Sequence, residues 1–592
     1  MSDPDDWTHA SRALLSKLIA ELSFEAILSP ELVGDGYELR FPGAVYTFAA
    51  RRTAFGGWQV EPLSVRRCAA GILGDNVAED AVDIQQFLTD AAPVAGVQPA
   101  TLAGYLAELT ATLTADVAIA RTARPVAELV DLDHAELEGH LTGHPWLVAN
   151  KGRVGFGAAD LAAYAPESRR GLRLPWLAAH RGLAEFRGTS ELSEAAVRAH
   201  ELDPTTIEAF TAVLTDRGLD PGAYVWLPVH PWQLDHVVRT LWAPELATAR
   251  LVELGEAPDE QLPTQSIRTM SNMDKRDRFQ VKLPLRILNT AVWRGIPVHC
   301  SRSAPVLSQW LRGIWERDEH LVSWGTVLLG EVASVTVEHP RLSTVESAPY
   351  PWLETLGCIW REPLDPRLRT GERGWPLAAV LHRDPSGAAL VTEYLRGSDA
   401  QVWFAALLRA LLRPLLNLLY RYGITVNPHG ENVLIVQGPD GLPARAAIKD
   451  LIDDVNVSTE RVPERGPEPD AHDRVLPRKP WRILRQYLVD ALFVGVFRPL
   501  APLLAEHGLA EDRFWGMVRG EIEAYRRRYP DLANRMAAGD LLTPTFARYA
   551  LNGDRLLRTG YAELPMRHAI APTGEIPNPL HQVRGVDPPD GW

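Results

Sequence analysis

Residues 427–454, NPHGENVLIVQGPDGLPARAAIKDLIDD, constrain the fold of this chain more than any other stretch. An apolar run at 433–436 follows His429, Glu431 and Asn432, and a second at 446–448 ends on Lys449 and Asp450. Between them stand Pro439, Asp440 and Gly441, so the pattern predicts a hairpin with a Pro/Gly turn. That hairpin returns Asp450 to the side of Asn432. Amide and carboxylate oxygens grouped in this way (Glu431, Asn432, Asp450) are hard ligands suited to Mg2+, which commonly arrives with nucleotide phosphates. Protein kinases use a related pair, a catalytic-loop Asn and a later Asp. A hairpin with polar ends and no ligand has the same local pattern, so the choice needs a second cluster. Upstream, residues 400–422 read as a long apolar helix that delivers the chain to this hairpin. Pro414 is expected to kink it and Gly423 to cap it.

The second cluster lies at residues 264–300, TQSIRTMSNMDKRDRFQVKLPLRILNTAVWRGIPVHC. It packs Ser266, Arg268 and Thr269 into four residues and then offers Lys282, Arg286, Thr290 and Arg294. Val281, Leu283, Leu285, Ile287 and Leu288 suggest a strand passing into a short helix. Guanidinium forks match phosphate or carboxylate oxygens in pairs, and a lysine serves phosphate as a point charge. An ordinary charged strand paired with acidic neighbours would read similarly. Two such clusters, one cationic and one rich in hard oxygen ligands, together favour a nucleotide site.

SIRT, VKLPLRILNTAVWRGIP, HGEN and KD together resemble the IucA/IucC family, the NRPS-independent siderophore (NIS) synthetases. GHPWLVANKGRVGF from Gly143, YAPE from Tyr164, LPVHPWQ from Leu227 and PNPL from Pro577 agree, in the family's order. The resemblance spans residues from about 130 to the C-terminus. It implies an α+β cupped-hand fold: a helical thumb at 1–140, β-rich fingers at 141–395 and a mixed palm at 396–592 with the kinase-like hairpin. It also implies an ATP- and Mg2+-dependent ligase and, as its state of assembly, a homodimer. Such a ligase adenylates a carboxylic acid, citrate or a citrate derivative, and passes it to an amine or alcohol with release of AMP and pyrophosphate. Ser266, Arg268, Thr269, Lys282, His429, Glu431 and Asn432 would hold the nucleotide. Glu431, Asn432 and Asp450 would hold the metal. Arg294 and His429 would steady the charge of the transition state, and His144, Arg153, Thr290 and Arg294 would bind the acid.

Three departures mark this chain. Many members read G-H-P-x-H-P where Leu147 and Val148 stand here, and most have Gln at the Glu431 position. The C-terminal segment carries no lysine where many members place one, so Arg548 or Arg558 is expected to replace it. His144, Lys151 and Arg153 read as one mobile basic loop, whereas the neighbourhood of His230 reads as packing. Two other functions compete. A kinase-like phosphotransferase explains HGEN and KD but not SIRT with KLPLRILNT. A ferric-siderophore binder or reductase of the related C-terminal type would need clustered cysteines.

Composition narrows the classes further. A chain of 592 residues needs more than one core. Its net charge of −14 argues against general nucleic-acid binding, which requires a basic face. Cys68, Cys300 and Cys358 are scattered, which excludes a disulfide framework and suits a reducing cytosol. The N-terminus lacks an apolar signal segment. The apolar stretch at 487–504 contains Asp490, Arg498 and Pro499, and so reads as a buried helix, not a membrane span. A soluble, cytoplasmic protein is expected.

Overall fold

The computed structural model describes residues 4–69, 78–472 and 474–589. Helix makes up 45% and strand 21% of it, in an α+β arrangement around three main cores. The first core joins the helix Pro4–Phe24 to a five-stranded antiparallel sheet and to the helices Ile84–Ala95 and Pro99–Arg121. Leu14, Leu15, Leu18, Ile19 and Leu22 recur at helical spacing and are all buried here. A hairpin with Gly56-Gly57 at its turn joins Ala50–Thr53 to Gly57–Val60.

The second core lies on an eight-stranded sheet. Its centre runs Leu251–Pro263, Thr269–Asn272, Gln280–Lys282, Gly357–Arg361 and Glu331–Val337, every pair antiparallel. The expected strand-to-helix passage at 279–288 is corrected. Gln280–Lys282 is followed by a separate strand, Leu285–Asn289, which turns back on Val292–Arg294 as a hairpin. Pro284 has no N–H for the ladder and ends the first strand. Leu283, Leu285 and Ile287, all fully buried, are the alternating face of an extended chain.

The third core is built on the helices Ala400–Leu407, Arg413–Tyr422, Trp481–Leu488, Arg498–Ala505 and Glu511–Arg528. It also takes in Ile296–Trp315 side chains and residues from 375 to 395, which the reading by sequence assigned to the fingers. Pro414 is accommodated by a π-helical turn, Leu408–Leu412, immediately before it, and Pro499 by a longer one, Val489–Phe497. A proline lacks the N–H and clashes with the carbonyl four residues back, and a π turn relieves both. Gly423 caps the first of these helices at φ 60°.

Three helices are long and apolar enough to cross a membrane by length and composition alone. In Ala400–Tyr422 and Trp481–Ala505, 83% and 78% of the most apolar window is buried inside the protein, and in Pro99–Arg121 44% is. The first two therefore spend their hydrophobicity on this core.

The expected hairpin is present: Val433–Gln437 pairs with Pro443–Ile448, antiparallel, with Val433 opposite Ile448. The Lys449 N–H donates to the Asn432 carbonyl at 3.0 Å, which carries the register one step further and sets Asp450 beside Asn432.

Candidate active site

Three separate segments meet in one pocket between the eight-stranded sheet and the hairpin. Ser266, Arg268 and Thr269 come from a turn entering the sheet, Lys282 and Arg294 from the strands after it, and Glu431, Asn432, Lys449 and Asp450 from the hairpin. Arg361, on the strand paired with Gln280–Lys282, completes the lining. Five cationic side chains thus face two carboxylates, an excess that suits a polyanion. The backbone is strained at several of these positions: Ile267, Thr290 and Asp450 have φ of 65°, 56° and 65°. Such conformations persist where the surroundings over-determine them, commonly at functional sites. Gly430 is required by packing, since a Cβ there would lie 2.9 Å from that of Ala378.

The charges form one network. Lys282 Nζ lies 2.6 Å from Asp450 Oδ1 and 2.7 Å from Asp453 Oδ2. Arg361 bridges Asp450 at 2.8 Å to the buried Glu331 at 3.1 Å, and Arg268 reaches Asp453 at 3.5 Å. Burial alone would raise the Asp450 carboxyl, but Lys282 and Arg361 hold it well below the usual carboxylate range. Burial would lower Lys282, yet Asp450 and Asp453 outweigh it and push its pKa up. Arg294 is lowered to about 10, first by burial and then by the neighbouring Arg268, and it donates to Thr290 Oγ1 at 2.6 Å. Asp454 accepts from Asn432 Nδ2 at 2.7 Å and Asn427 Nδ2 at 3.1 Å. The Glu431 carboxylate takes no hydrogen bond or ion pair among the described residues. Asn432 spends its NH2 on Asp454 and the Asn427 carbonyl, which leaves its amide oxygen free. Asp450 likewise has one oxygen without a partner. These oxygens, from three residues and without a partner among the described residues, are the kind of donor a hard cation needs.

Both histidines of the expected site have a fixed tautomer. The N–H groups of Trp146 and Leu147 point at His144 Nδ1 at 3.1 and 3.0 Å, and that of Glu431 at His429 Nδ1 at 3.2 Å. Each Nδ1 is therefore an acceptor, and the ring proton sits on Nε2. Burial, with His429, Lys17 and Arg294 nearby, lowers His144 to about 3; burial also lowers His429. Both rings are neutral donors at pH 7. His230 repeats the pattern with the Trp232 N–H, but it is fully buried and its Nε2 has no partner.

Other expected positions fall elsewhere. The mobile basic loop at 144–153 is corrected: it is an ordered, buried segment. Lys151 is 2% exposed and bound to Asp116 at 2.9 Å. Arg153 is 3% exposed, at φ 43°, and both its terminal nitrogens are held by the Glu167 carboxylate of YAPE. Its guanidinium is thus committed to a structural pair and is not offered to a substrate. Neither Arg548 nor Arg558 enters the pocket: Arg548 bonds Thr573 and Arg558 is exposed. Two other arginines of that segment do approach. Arg555 donates to the Thr290 carbonyl at 2.6 Å, and Arg567 to the Gly295 carbonyl at 3.1 Å, 3.6 Å from Asp453. Arg361, Arg555 and Arg567 escaped the sequence reading because each stands alone among ordinary residues, without a motif. Asp453 and Asp454, which extend the KD motif directly, are the reserve metal ligands that the sequence offers after Asp450.

This fold and pocket define a siderophore-synthetase architecture. Residues 133–382 match the IucA / IucC family, and residues 401–564 match the ferric iron reductase FhuF-like transporter family. The latter segment contains no cysteine. The chain is 36% identical over 580 residues to the rhizobactin siderophore biosynthesis protein RhbF of Rhizobium meliloti (strain 1021), covering 97% of this chain and 96% of that one. It is 27% identical over 615 residues to the citryl-spermidine/3,4-dihydroxybenzoyl-citryl-spermidine:spermidine ligase of Bacillus anthracis, covering 99% and 95%. Among solved structures it superposes on the aerobactin synthetase IucC of Klebsiella pneumoniae with a TM-score of 0.85, at 31% identity over 98% of this chain and 99% of that one. The chain belongs to the IucA/IucC family and is a ligase of siderophore biosynthesis.

Proposed function

We propose that this ligase uses ATP to adenylate a polycarboxylic acid, citrate or a citrate already amidated at one arm, and then joins it to an amine or alcohol. The observation that carries the reading is the convergence of Ser266, Arg268, Thr269, Lys282, Arg294 and Arg361 on the Glu431–Asn432–Asp450 oxygens. A triphosphate would join this network as a further partner for Arg268, Lys282 and Arg361 and as a partner for Arg294. Glu431, Asn432 and Asp450 would hold Mg2+, which offsets phosphate charge when bound. As the acid's carboxylate attacks the α-phosphorus, charge accumulates on the phosphoryl oxygens, and pyrophosphate leaves. Arg294 and the His429 Nε2–H are fixed donors for that charge, preorganised in a largely dry site. His144 Nε2–H and Thr290 are positioned to orient the acid, with Arg555 holding the Thr290 backbone. The name of the Bacillus anthracis ligase, which joins citryl compounds to spermidine, supports a citrate-derived acid and an aliphatic amine.

The test is acid-dependent exchange of labelled pyrophosphate into ATP. Exchange is expected with citrate or a citrate monoamide, and AMP, not ADP, after addition of an amine. Arg294→Ala and His429→Ala should each lower exchange by about a hundredfold, the scale of losing one transition-state donor. ADP as product would turn the reading to a phosphotransferase, and near-normal exchange in either variant would remove that residue from the chemistry.

A further inference from the structure

A cavity of about 1040 Å3 lies outside the pocket just described. Its walls are the helix Pro4–Phe24, the end of Pro99–Arg121, the strand at Trp58, residues 378–387 and the helix Arg498–Ala505. Its inner end is formed by Gly143, His144 and Ala378. Those residues are the back of the catalytic loop. Ala378 N–H donates to the Gly430 carbonyl at 2.9 Å, and the His144 ring is close enough to His429 and Arg294 for their charges to act on it. The cavity therefore meets, through Ala378, the turn that carries His429 and Gly430, while the cationic pocket is lined by Glu431, Asn432, Lys449 and Asp450 of the same hairpin.

We propose that this cavity is the channel of the nucleophile and that it takes the methylene chain of an aliphatic amine, whose amino group emerges past His144. The inference rests on the ligase reading above. Ala10, Ala13, Leu14, Ala120 and Leu381 give the wall long apolar stretches suited to methylenes. His382, 4% exposed, also lines it, with an Nδ1 that has no partner among the described residues, and Glu21, Asp116, Asp384 and Glu506 add carboxylates that could hold the far ammonium of a diamine. The carboxylate of Glu61 stands at the exposed edge without a partner among the described residues and favours entry of a cation.

Charges of both signs meet near His144. Lys17 Nζ donates to the His144 and Leu147 carbonyls at 2.7 and 2.8 Å, and Arg498 lies on the same wall. Burial first, and then the neighbouring Lys151, bring Lys17 down to about 8 against the opposing pull of Glu21 and Asp116, which line the same cavity, and Arg498 is paired with Glu21 at 2.8 Å. The amine reacts as its free base, the ammonium having first lost one proton to bulk water. Its nitrogen lone pair then forms the C–N bond at the acyl carbon of the adenylate. The acyl C–O bond breaks with its electrons leaving on AMP, and the second N–H proton passes to water.

Filling the cavity tests this. Ala13→Trp and Ala120→Trp add bulk from exposed and half-exposed helical positions that line it, while Ala118→Trp adds the same bulk to an exposed position that does not. Three readouts are needed: acid-dependent pyrophosphate exchange, trapping of the acyl group by hydroxylamine, and amide formation with 1,5-diaminopentane. In the filled variants the KM for diaminopentane should rise by about tenfold or more, with exchange and hydroxylamine trapping retained, because only binding remote from the chemistry is lost. Ala118→Trp should match the parent.

An unchanged diaminopentane KM in the filled variants overturns the proposal, as does an equal fall in hydroxylamine trapping. A raised KM for the acid in the exchange assay also overturns it, since the cavity then holds the acid's arm. So does a parent enzyme that uses diaminopentane no better than hydroxylamine. Absence of acid-dependent exchange in the parent enzyme is a different failure, that of the ligase chemistry itself.

Discussion

Replacing Lys282 by Gln removes the cation between Asp450 and Asp453 while keeping much of the side chain's volume. Lys282 is 4% exposed and its two partners 23% and 19%, so the pairs are mostly desolvated. Breaking a buried pair by removing one partner costs about 3–5 kcal/mol. Asp450 keeps Arg361 at 2.8 Å, and Asp453 keeps Arg268 at 3.5 Å and Arg567 at 3.6 Å. With those partners and the partial exposure, the expected loss is about 2 kcal/mol.

The pH dependence follows from the directions of the shifts. Asp450 and Asp453 are held below their unfolded values, so their contribution is present above about pH 4 and lost as pH falls further. Lys282 is held above its own, so its contribution is present below about pH 10 and lost above it. The deficit of Lys282→Gln should therefore be full at pH 7 and shrink as the carboxylates protonate. Urea denaturation of parent and variant at pH 7 and at the lowest pH that keeps both folded measures it. A variant as stable as the parent at pH 7, or an equal deficit at both pH values, would refute the ion-pair reasoning. Acid-dependent exchange should fall with the substitution at every pH, since the nucleotide loses the same cation.

Asp450→Asn keeps one oxygen but loses the charge that balances a divalent ion, and nucleotide binding should weaken and recover partly at high Mg2+. If titration calorimetry finds the Mg2+ dependence unchanged, the metal belongs to other oxygens, with Asp453 and Asp454 next. Arg153→Ala should act on stability, because it leaves the buried Glu167 carboxylate without its partner at a cost of about 3 kcal/mol. A raised KM for the acid with unchanged stability would restore Arg153 to the substrate.

The hairpin, its metal-type oxygens and the cationic strand were legible because each is local. Turn residues, alternation and motif spacing act within a few positions, and Val433 opposite Ile448 follows from them almost alone. The long apolar helices were legible for the same reason. What could not be read was pairing across hundreds of residues. Arg361 joins Asp450, and Arg567 joins Asp453, through sheet order and chain return that leave no trace near either arginine. The error at 285–289 was one of period: two adjacent apolar residues, Ile287 and Leu288, suggested a helix where Pro284 had ended one strand and begun another. The error at Arg153 was one of burial, since a basic residue among glycines reads as solvated until its partner Glu167 is seen.

That last pair shows how the family's motifs divide their labour. SIRT, KLPLRILNT, HGEN and KD line the pocket. YAPE supplies Glu167 to Arg153, and the Gln233 of LPVHPWQ accepts from the Arg286 N–H at 2.8 Å and donates to the Thr355 carbonyl at 2.8 Å. The Asn578 of PNPL, fully buried, donates to the Leu541 and Thr543 carbonyls at 3.0 and 2.7 Å. None of these three touches the cationic pocket. Each satisfies backbone or charge that would otherwise be buried without a partner, a cost of about 1–3 kcal/mol for each group. GHPWLVANKGR does both: His144 faces the catalytic loop, while Val148, Lys151 and Arg153 anchor the segment on Asn552, Asp116 and Glu167. The departure from a second His-Pro therefore falls on its anchored half. Leu147 there accepts from Lys17 with its carbonyl, and Val148 is wholly buried in the first core, so the side chains that stand in place of His-Pro serve packing and neither is among those lining the large cavity.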